Sequence, residues 1–320
     1  MPEIELEAES LSENDNTTNV EMSKEEIWFI KHFIEKYNPK KILEIGISAG
    51  GNTVNLLNWK DMDAELFSVD LAKNWYRDET KLSGFMSDDV EDKSNFKIYR
   101  GYDYLDVYDE IGSGIDMAII DTVHLMPGEF LTFLTALPQL KDGCIVILHD
   151  IHLNMIKIKN DRFSAFETSE YCTGLLYSSI SSNEKYSLKT KRISNIGAFI
   201  VDDTTRDNVK DVFRSLCSGW YYFPDNLNLE GYHEYVEKHY PPEFYILFSN
   251  CLEMQSKYFK QKETERKQSL DLNNELKNKK EEIESLQKEI DSIKKENELI
   301  KSTVSWKVTK PLRRLSKMRK

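Results

Sequence analysis

Two short runs place acids and histidines at the ends of apolar stretches. IIDTVH (119–124) carries Asp121 and, three residues later, His124; ILHD (147–150) carries His149 and Asp150, with His152 just past it. If the fold sets Asp121 beside Asp150, the two carboxylates repel unless a cation or a proton bridges them. Oxygen donors suit magnesium or manganese, which keep several waters or accept oxygens from a substrate. A histidine titrating near neutrality, as His124 could, can take a proton from a hydroxyl, although a lone histidine is more often structural.

A third run, LEIGISAGGN (43–52), reads as a strand entering a glycine turn. A dinucleotide fingerprint needs G-x-G-x-x-G, and its middle glycine, which lets the main chain touch a pyrophosphate, is Ser48 here. Glu44, just ahead of Gly46, would repel a pyrophosphate and welcome a donor group such as an ammonium. Gly50 stands where a helix should start; the plain alternative for Gly46 and Gly50 is a simple strand-to-helix turn. Asp70 ends the next strand, where a carboxylate can take both hydroxyls of a ribose. A phosphate-free adenosine with a positive amino-acid end fits this set, and S-adenosylmethionine has that description. The same chemistry disfavours a dehydrogenase.

These residues need a sheet to position them. KILEIG (41–46), ELFSVD (65–70), FKIYRG (96–101), IDMAIID (115–121) and CIVILHD (144–150) read as buried strands, separated by helix-compatible segments such as 52–59 and 128–140. That alternation predicts an α/β fold, a mostly parallel Rossmann-like sheet with helices on both faces and its crevice at the carboxyl ends of the strands. KYSLKT (185–190) and NIGAFIVDD (195–203) could close the sheet. Asp142-Gly143 reads as a turn. Ser23 with Glu26 forms a capping box for a helix whose Ile27, Ile30, Phe33 and Ile34 share one face.

The composition narrows the function classes. A net charge of −12 argues against a nucleic-acid partner. The four cysteines lack CxxC spacing, which fits a reducing cytoplasm and suggests neither a disulfide framework nor a zinc site. Residues 1–22 are acidic with no balancing cation and read as a disordered tail, not a signal peptide. No stretch is long and apolar enough to span a bilayer.

The acid-x-glycine loop, Asp70 and the run from IIDTVH to ILHD, taken in order, resemble class I S-adenosylmethionine-dependent methyltransferases. Within that class they are most similar to bacterial small-molecule and sugar O-methyltransferases, including macrolide-sugar and cephalosporin-pathway enzymes. The resemblance covers roughly 24–203. It implies that Glu44, Gly46 and Gly50 line the methionine end of the cofactor, that Asp70 holds the ribose, and that Tyr102 and Asp103 hold the adenine. It also implies a metal bound by an acid ending the fourth strand and an acidic pair ending the fifth. Asp121 and Asp150 match two of those positions, and the third is His149, an imidazole that suits manganese better than magnesium. The metal would hold the acceptor hydroxyl and lower its pKa, with His124 at the family's general-base position.

Beyond a methyltransferase domain (23–204) the expected order is an aromatic-rich helical extension (205–261), a coiled coil (262–304) and a basic amphipathic tail (305–320). Heptad a positions fall at Leu276, Ile283, Ile290, Asn297 and Val304, and d positions at Leu272, Lys279, Leu286, Ile293 and Ile300. Asn at one a position favours a two-stranded parallel coil, hence a homodimer through 272–304. Residues 301–320 carry eight Lys/Arg and no acid, a composition suited to peripheral contact with an anionic membrane. SWKVTKPLRRL in this tail also resembles tails of bacterial enzymes that build surface polysaccharides, which would make the acceptor a sugar or glycan. The alternatives are a metal-independent methyltransferase acting on another small molecule and an inactive scaffold of a glycan-assembly complex.

Overall fold

A computed structural model describes residues 3–153, 155, 172–189, 193–224, 229–309, 311 and 313. Its centre is an eight-stranded sheet in the order β1-β9-β10-β8-β7-β2-β3-β6. The strands are β1 (Ile4–Glu7), β2 (Lys41–Ile45), β3 (Glu65–Asp70), β6 (Phe96–Arg100), β7 (Ile115–Ile120), β8 (Leu140–His149), β9 (Lys185–Lys189) and β10 (Ile196–Ile200); β4 (Asn74–Trp75) and β5 (Asp78–Leu82) form a separate hairpin. Neighbours pair in parallel except β10, which runs antiparallel to both β8 and β9. The strand order reverses between β2 and β7, the switch point at which open α/β sheets bind ligands.

Side-chain alternation builds a core on each face. Ile42, Leu66, Met117, Ile119, Ile145 and Ile147 pack with Phe29, Ile30 and Phe33 of α1 (Lys24–Tyr37) and Leu56 of α2 (Gly51–Trp59). On the other face Phe199 of β10 meets Phe133 of α4 (Gly128–Ala136) edge to face, 5.9 Å between centroids. The capping box of α1 is formed: Glu26 N donates to Ser23 Oγ and Ser23 N to Glu26 Oε2 at 2.7 Å. Gly143 has φ +82° but lies inside β8, so Asp142-Gly143 is an irregularity within a long strand, not the turn that precedes it.

Residues 3–22 differ from the expected disordered tail. β1 adds to the sheet edge beside β9, and Leu6, Ala8 and Leu11 pack on the core. The cations that balance this acidic stretch come from distant parts of the chain: Lys189 pairs with Glu7, Lys31 with Asp15 at 2.9 Å, and Arg77 with Glu21 at 3.0 Å. Asn16 donates to Gly51 O, while Asn55 donates back to Asn16 O, tying the segment to the start of α2.

The remaining helices are α3 (Tyr104–Ile111), α5 (Thr173–Ser179), α6 (Asp203–Asp207), α7 (Val209–Leu216), α8 (Leu229–His239), α9 (Pro242–Ser302) and α10 (Val304–Val308). The chain divides into two compact units, Met1–Ser256 and Lys257–Lys320. Much of the aromatic extension therefore belongs with the first unit, where Tyr235 and Tyr240 donate to Thr135 O and Leu134 O of α4. The long helix starts at Pro242, well before 262, and ends at Ser302, because Thr303 leaves helical geometry to cap α10. Val304, expected as the last a position, thus lies past the break. Every residue from Gln261 to Ser302 is exposed. No helix among the described residues is long and apolar enough to cross a membrane. Most of the basic tail, Lys310, Leu312 and 314–320, lies outside the described residues.

Candidate active site

A cavity of about 390 Å³ opens at the switch point, within the usual range for small-molecule sites. The glycine loop after β2 forms one wall. Gly46 has φ +92°, and a Cβ there would meet the Asp121 carbonyl oxygen at 1.8 Å, so both its conformation and its neighbour demand glycine. Gly50, at φ +90°, caps α2 and packs on Gly84; it shapes the loop without lining the cavity.

Glu44 does not reach the cavity either, which corrects its expected place at the amino-acid end. It points under the loop, where Asn52, Thr53 and Ser68 donate to it at 3.0, 2.8 and 2.6 Å. Ser68 is its cross-strand partner on β3, so the register itself brings them together. Burial pushes the Glu44 carboxyl up to about 7 against the pull of these donors.

Asp70 does line the cavity, at the carboxyl end of β3. Its Oδ2 accepts from Ile47 N and Ser48 N, both at 3.0 Å, and from Ser83 Oγ at 2.6 Å, while Oδ1 accepts from Ala72 N at 2.8 Å. It therefore already braces the glycine loop. Tyr102 lines the cavity and is half-exposed, a free aromatic face. Asp103 caps α3, and the buried Tyr232 hydroxyl lies 2.7 and 2.8 Å from its two oxygens. Burial raises the Asp103 pKa despite that hydrogen bond.

The opposite end gathers the acids and histidines. His124 Nε2 lies 2.9 Å from Asp150 Oδ2 and 3.4 Å from Asp121 Oδ1; His124 Nδ1 faces Thr173 Oγ1 at 3.1 Å. Ser48, His124 and Asp150 all adopt positive φ, the strained backbone that concentrates at functional sites. Burial opposes charge on His124, but the hydrogen bond to Asp150 and the charges of Glu129 and Asp121 outweigh it and lift the imidazole to about 9.

Among the described residues, the donors that converge closely enough for a metal ion are Asp121, His124 and Asp150. His149 sits deeper. Its Nδ1 is 3.3 Å from Asp121 and 3.7 Å from Asp150, and its Nε2, without a hydrogen-bond partner, lies 3.8 Å from Glu26 of α1. Burial disfavours its charge, yet the surrounding carboxylates raise its pKa well above the usual value. His149 is therefore placed as a buried counter-ion between three acids, where the sequence suggested a ligand. His152 turns away to Ser194 O at 2.6 Å and does not line the cavity.

Several lining residues were not singled out from the sequence. Asn19 to Met22 cross the cavity mouth, and Glu21 there accepts from Ser48 Oγ and the Tyr76 hydroxyl. Trp75 and Tyr76 come from the hairpin, and Tyr222 and Tyr232 from the aromatic extension. Glu129 is buried behind His124, with Thr122 donating to it. Acid runs and aromatic clusters signalled these positions by type, but only the folding of distant segments places them.

Residues 43–151 match the profile of a protein family described as "Methyltransferase domain". That match spans the glycine loop, Asp70 and the strands that lead to Asp121 and Asp150. Among solved structures the chain is similar to the O-methyltransferase TomG of Streptomyces achromogenes, involved in tomaymycin synthesis and solved with S-adenosylmethionine. That match has 18% identity and a TM-score of 0.44, and covers 58% of this chain and 83% of that one. A putative caffeoyl-CoA O-methyltransferase from Staphylococcus aureus matches at 18% identity and TM-score 0.42, over 57% of this chain and 85% of the other. An O-methyltransferase from Bacillus cereus solved with S-adenosylhomocysteine matches at 17% and 0.42, over 59% and 85%. Likenesses at these scores say nothing about the acceptor. A search of curated proteins finds no significant match.

Proposed function

We propose that this protein transfers a methyl group from S-adenosylmethionine to a hydroxyl of a small molecule, with a sugar or glycan as the favoured acceptor. One observation carries the reading: a single cavity joins the Gly46–Ser48 loop and Asp70 at one end to Asp121, His124 and Asp150 at the other. The loop and Asp70 would hold the amino-acid and ribose parts of the donor, Tyr102 would offer a stacking face for adenine, and Glu21 would supply the acid near the loop that Glu44 does not. Tyr222 gives an aromatic wall on which a sugar ring can stack, with Thr122, Thr132 and Asp103 as polar partners.

Asp121, His124 and Asp150 would hold a divalent cation. Two carboxylates and an imidazole suit manganese better than magnesium. Such an ion lowers the pKa of a bound hydroxyl. The chain's own groups orient the acceptor there: Asp150 is fixed by His124 and by Asn195, and Asp121 is fixed by His149. A metal-independent reading is favoured by the same contacts, since His124 and His149 already offset the charge of both acids. In that case the Asp121 carboxylate, partly open to the cavity, accepts the hydroxyl proton.

The heptad on α9 supports a homodimer, the basic composition of 301–320 supports peripheral contact with an anionic membrane, and the resemblance of SWKVTKPLRRL to tails of polysaccharide-building enzymes supports a role in surface polysaccharide assembly. Transfer of labelled methyl to a panel of nucleotide sugars and small hydroxylated compounds, with and without excess chelator, tests the assignment. Labelled product from at least one sugar is expected. No transfer to any hydroxylated acceptor would contradict it, and chelator sensitivity separates the two modes.

A further inference from the structure

The homodimer reading, a parallel pair inferred from Asn297, leaves open what fixes its register and selects the partner. We propose that the two copies pair in parallel and in register, and that charges flanking the seam of α9 select a second copy of this chain as the partner. The apolar seam residues Leu272, Leu276, Ile283, Leu286, Ile290, Ile293 and Ile300 are each between 43% and 66% exposed, so among the described residues nothing covers this face of the helix. From Leu272 to Ile300 the seam is about 42 Å long at 1.5 Å per residue.

The flanks carry a strict pattern. With a at Leu276, Ile283, Ile290 and Asn297, the g positions are Glu275, Glu282, Glu289 and Glu296, all acidic, and the e positions are Lys280, Gln287, Lys294 and Lys301, none acidic. Residues at e and g set partner choice and orientation in coiled coils. In a parallel, in-register pair each g side chain faces the e side chain of the following heptad on the other helix. Glu275 then meets Lys280 of the second copy, Glu289 meets Lys294, and Glu296 meets Lys301, while Glu282 faces Gln287. In an antiparallel pair g faces g and e faces e, so glutamates would oppose glutamates and lysines lysines.

Within the chain, among the described residues, none of these four glutamates has an ion-pair partner, and neither have Lys280 and Lys301; Lys294 reaches only Asp291, at 3.5 Å. Ile283 and Ile290 at a with Leu286 at d suit two strands. Asn297 holds that number where Ile293 and Ile300 at d would otherwise admit three, because two facing asparagines can satisfy each other in a dimer. Lys279 at d weakens the pair locally.

The inference rests on the homodimer reading, and two measurements on the full chain separate their failures. Light scattering should give twice the 37.5 kDa chain mass. A Leu272→Cys variant treated with oxidised glutathione should form a covalent dimer that the untreated variant and the treated wild type do not, because parallel helices bring the two d residues face to face. Reversing Glu275, Glu282, Glu289 and Glu296 to lysine should weaken pairing about a hundredfold, from some six lost ion pairs per dimer. Mixing that chain with one carrying Lys280→Glu, Lys294→Glu and Lys301→Glu should restore it. These positions are remote in sequence from the cavity, so methyl transfer per chain should hold in every variant. A monomeric wild type overturns both readings. A dimer that does not cross-link at 272, a trimer, or a charge-reversed chain that pairs as tightly as the wild type overturns the parallel, charge-selected pairing alone.

Discussion

A Cβ added to Gly46 would lie 1.8 Å from the main-chain carbonyl oxygen of Asp121. The cofactor loop and the acidic end of the cavity are therefore in backbone contact, and neither can shift without the other. Gly46→Ala forces that contact apart at a residue with φ +92°. It should cost at least about 2 kcal/mol of stability and abolish cofactor binding. Thermal melting and a calorimetric titration with S-adenosylhomocysteine read the two effects; a variant that melts and binds like the wild type would show that the loop tolerates a side chain at this position.

Glu44 makes stability depend on pH. Its carboxyl is pushed from 4.5 up to about 7 by burial. A raised folded pKa means the unfolded chain gives up its proton first, so this stability is full below about pH 4.5 and is lost as pH rises to about 7. The loss is about 3 kcal/mol, at 1.36 kcal/mol per unit. Glu44→Gln keeps the shape, and the Ser68 and Thr53 hydroxyls can turn to suit it. Denaturant titrations from pH 4.5 to 7 should show wild type losing stability relative to Glu44→Gln over this window; a gain would contradict the buried placement.

The strap of residues 19–22 closes over the loop through Glu21, which meets Ser48 and pairs with Arg77 at 3.0 Å. Glu21→Ala should raise the KM for S-adenosylmethionine roughly tenfold, in line with the loss of one charge-assisted contact, and leave kcat nearly unchanged. Steady-state kinetics with the donor varied measures both. An unchanged KM would mean the strap is not part of the donor site.

Much of the fold was legible in the sequence because it is written locally. Strands β2, β3, β6, β7 and β8 fall on the apolar runs that predict them, and the Ser23–Glu26 box lies within four residues, whereas the polar β4–β5 hairpin carries no such signal. What was not legible depends on contacts between distant residues. Glu44 looked like a ligand because its donors Thr53 and Ser68 come from two other elements. The N-terminal acids looked unpaired because their cations, such as Lys31 and Lys189, lie elsewhere. His124, in place of His149, gathers with Asp121 and Asp150 because strand alternation buries His149 toward α1, while His124, in a loop at φ +58°, swings its ring to Asp150.

The cation reading has its own test. If Asp121, His124 and Asp150 bind manganese, Asp150→Ala should lower affinity for the ion at least about tenfold, read by calorimetry with manganese alone. His149→Gln should affect it less, since His149 lies behind the acids. Equal losses from both variants would return His149 to the ligand set.

The central claim is that this cavity takes a phosphate-free adenosine with an amino-acid end. Calorimetry of the full chain with S-adenosylhomocysteine tests it most directly, with NAD as the competing ligand and Asp70→Ala as the control. One molecule bound per chain, no heat from NAD, and loss of binding in Asp70→Ala are expected. Binding of NAD, or binding of S-adenosylhomocysteine that survives unchanged in Asp70→Ala, would contradict it.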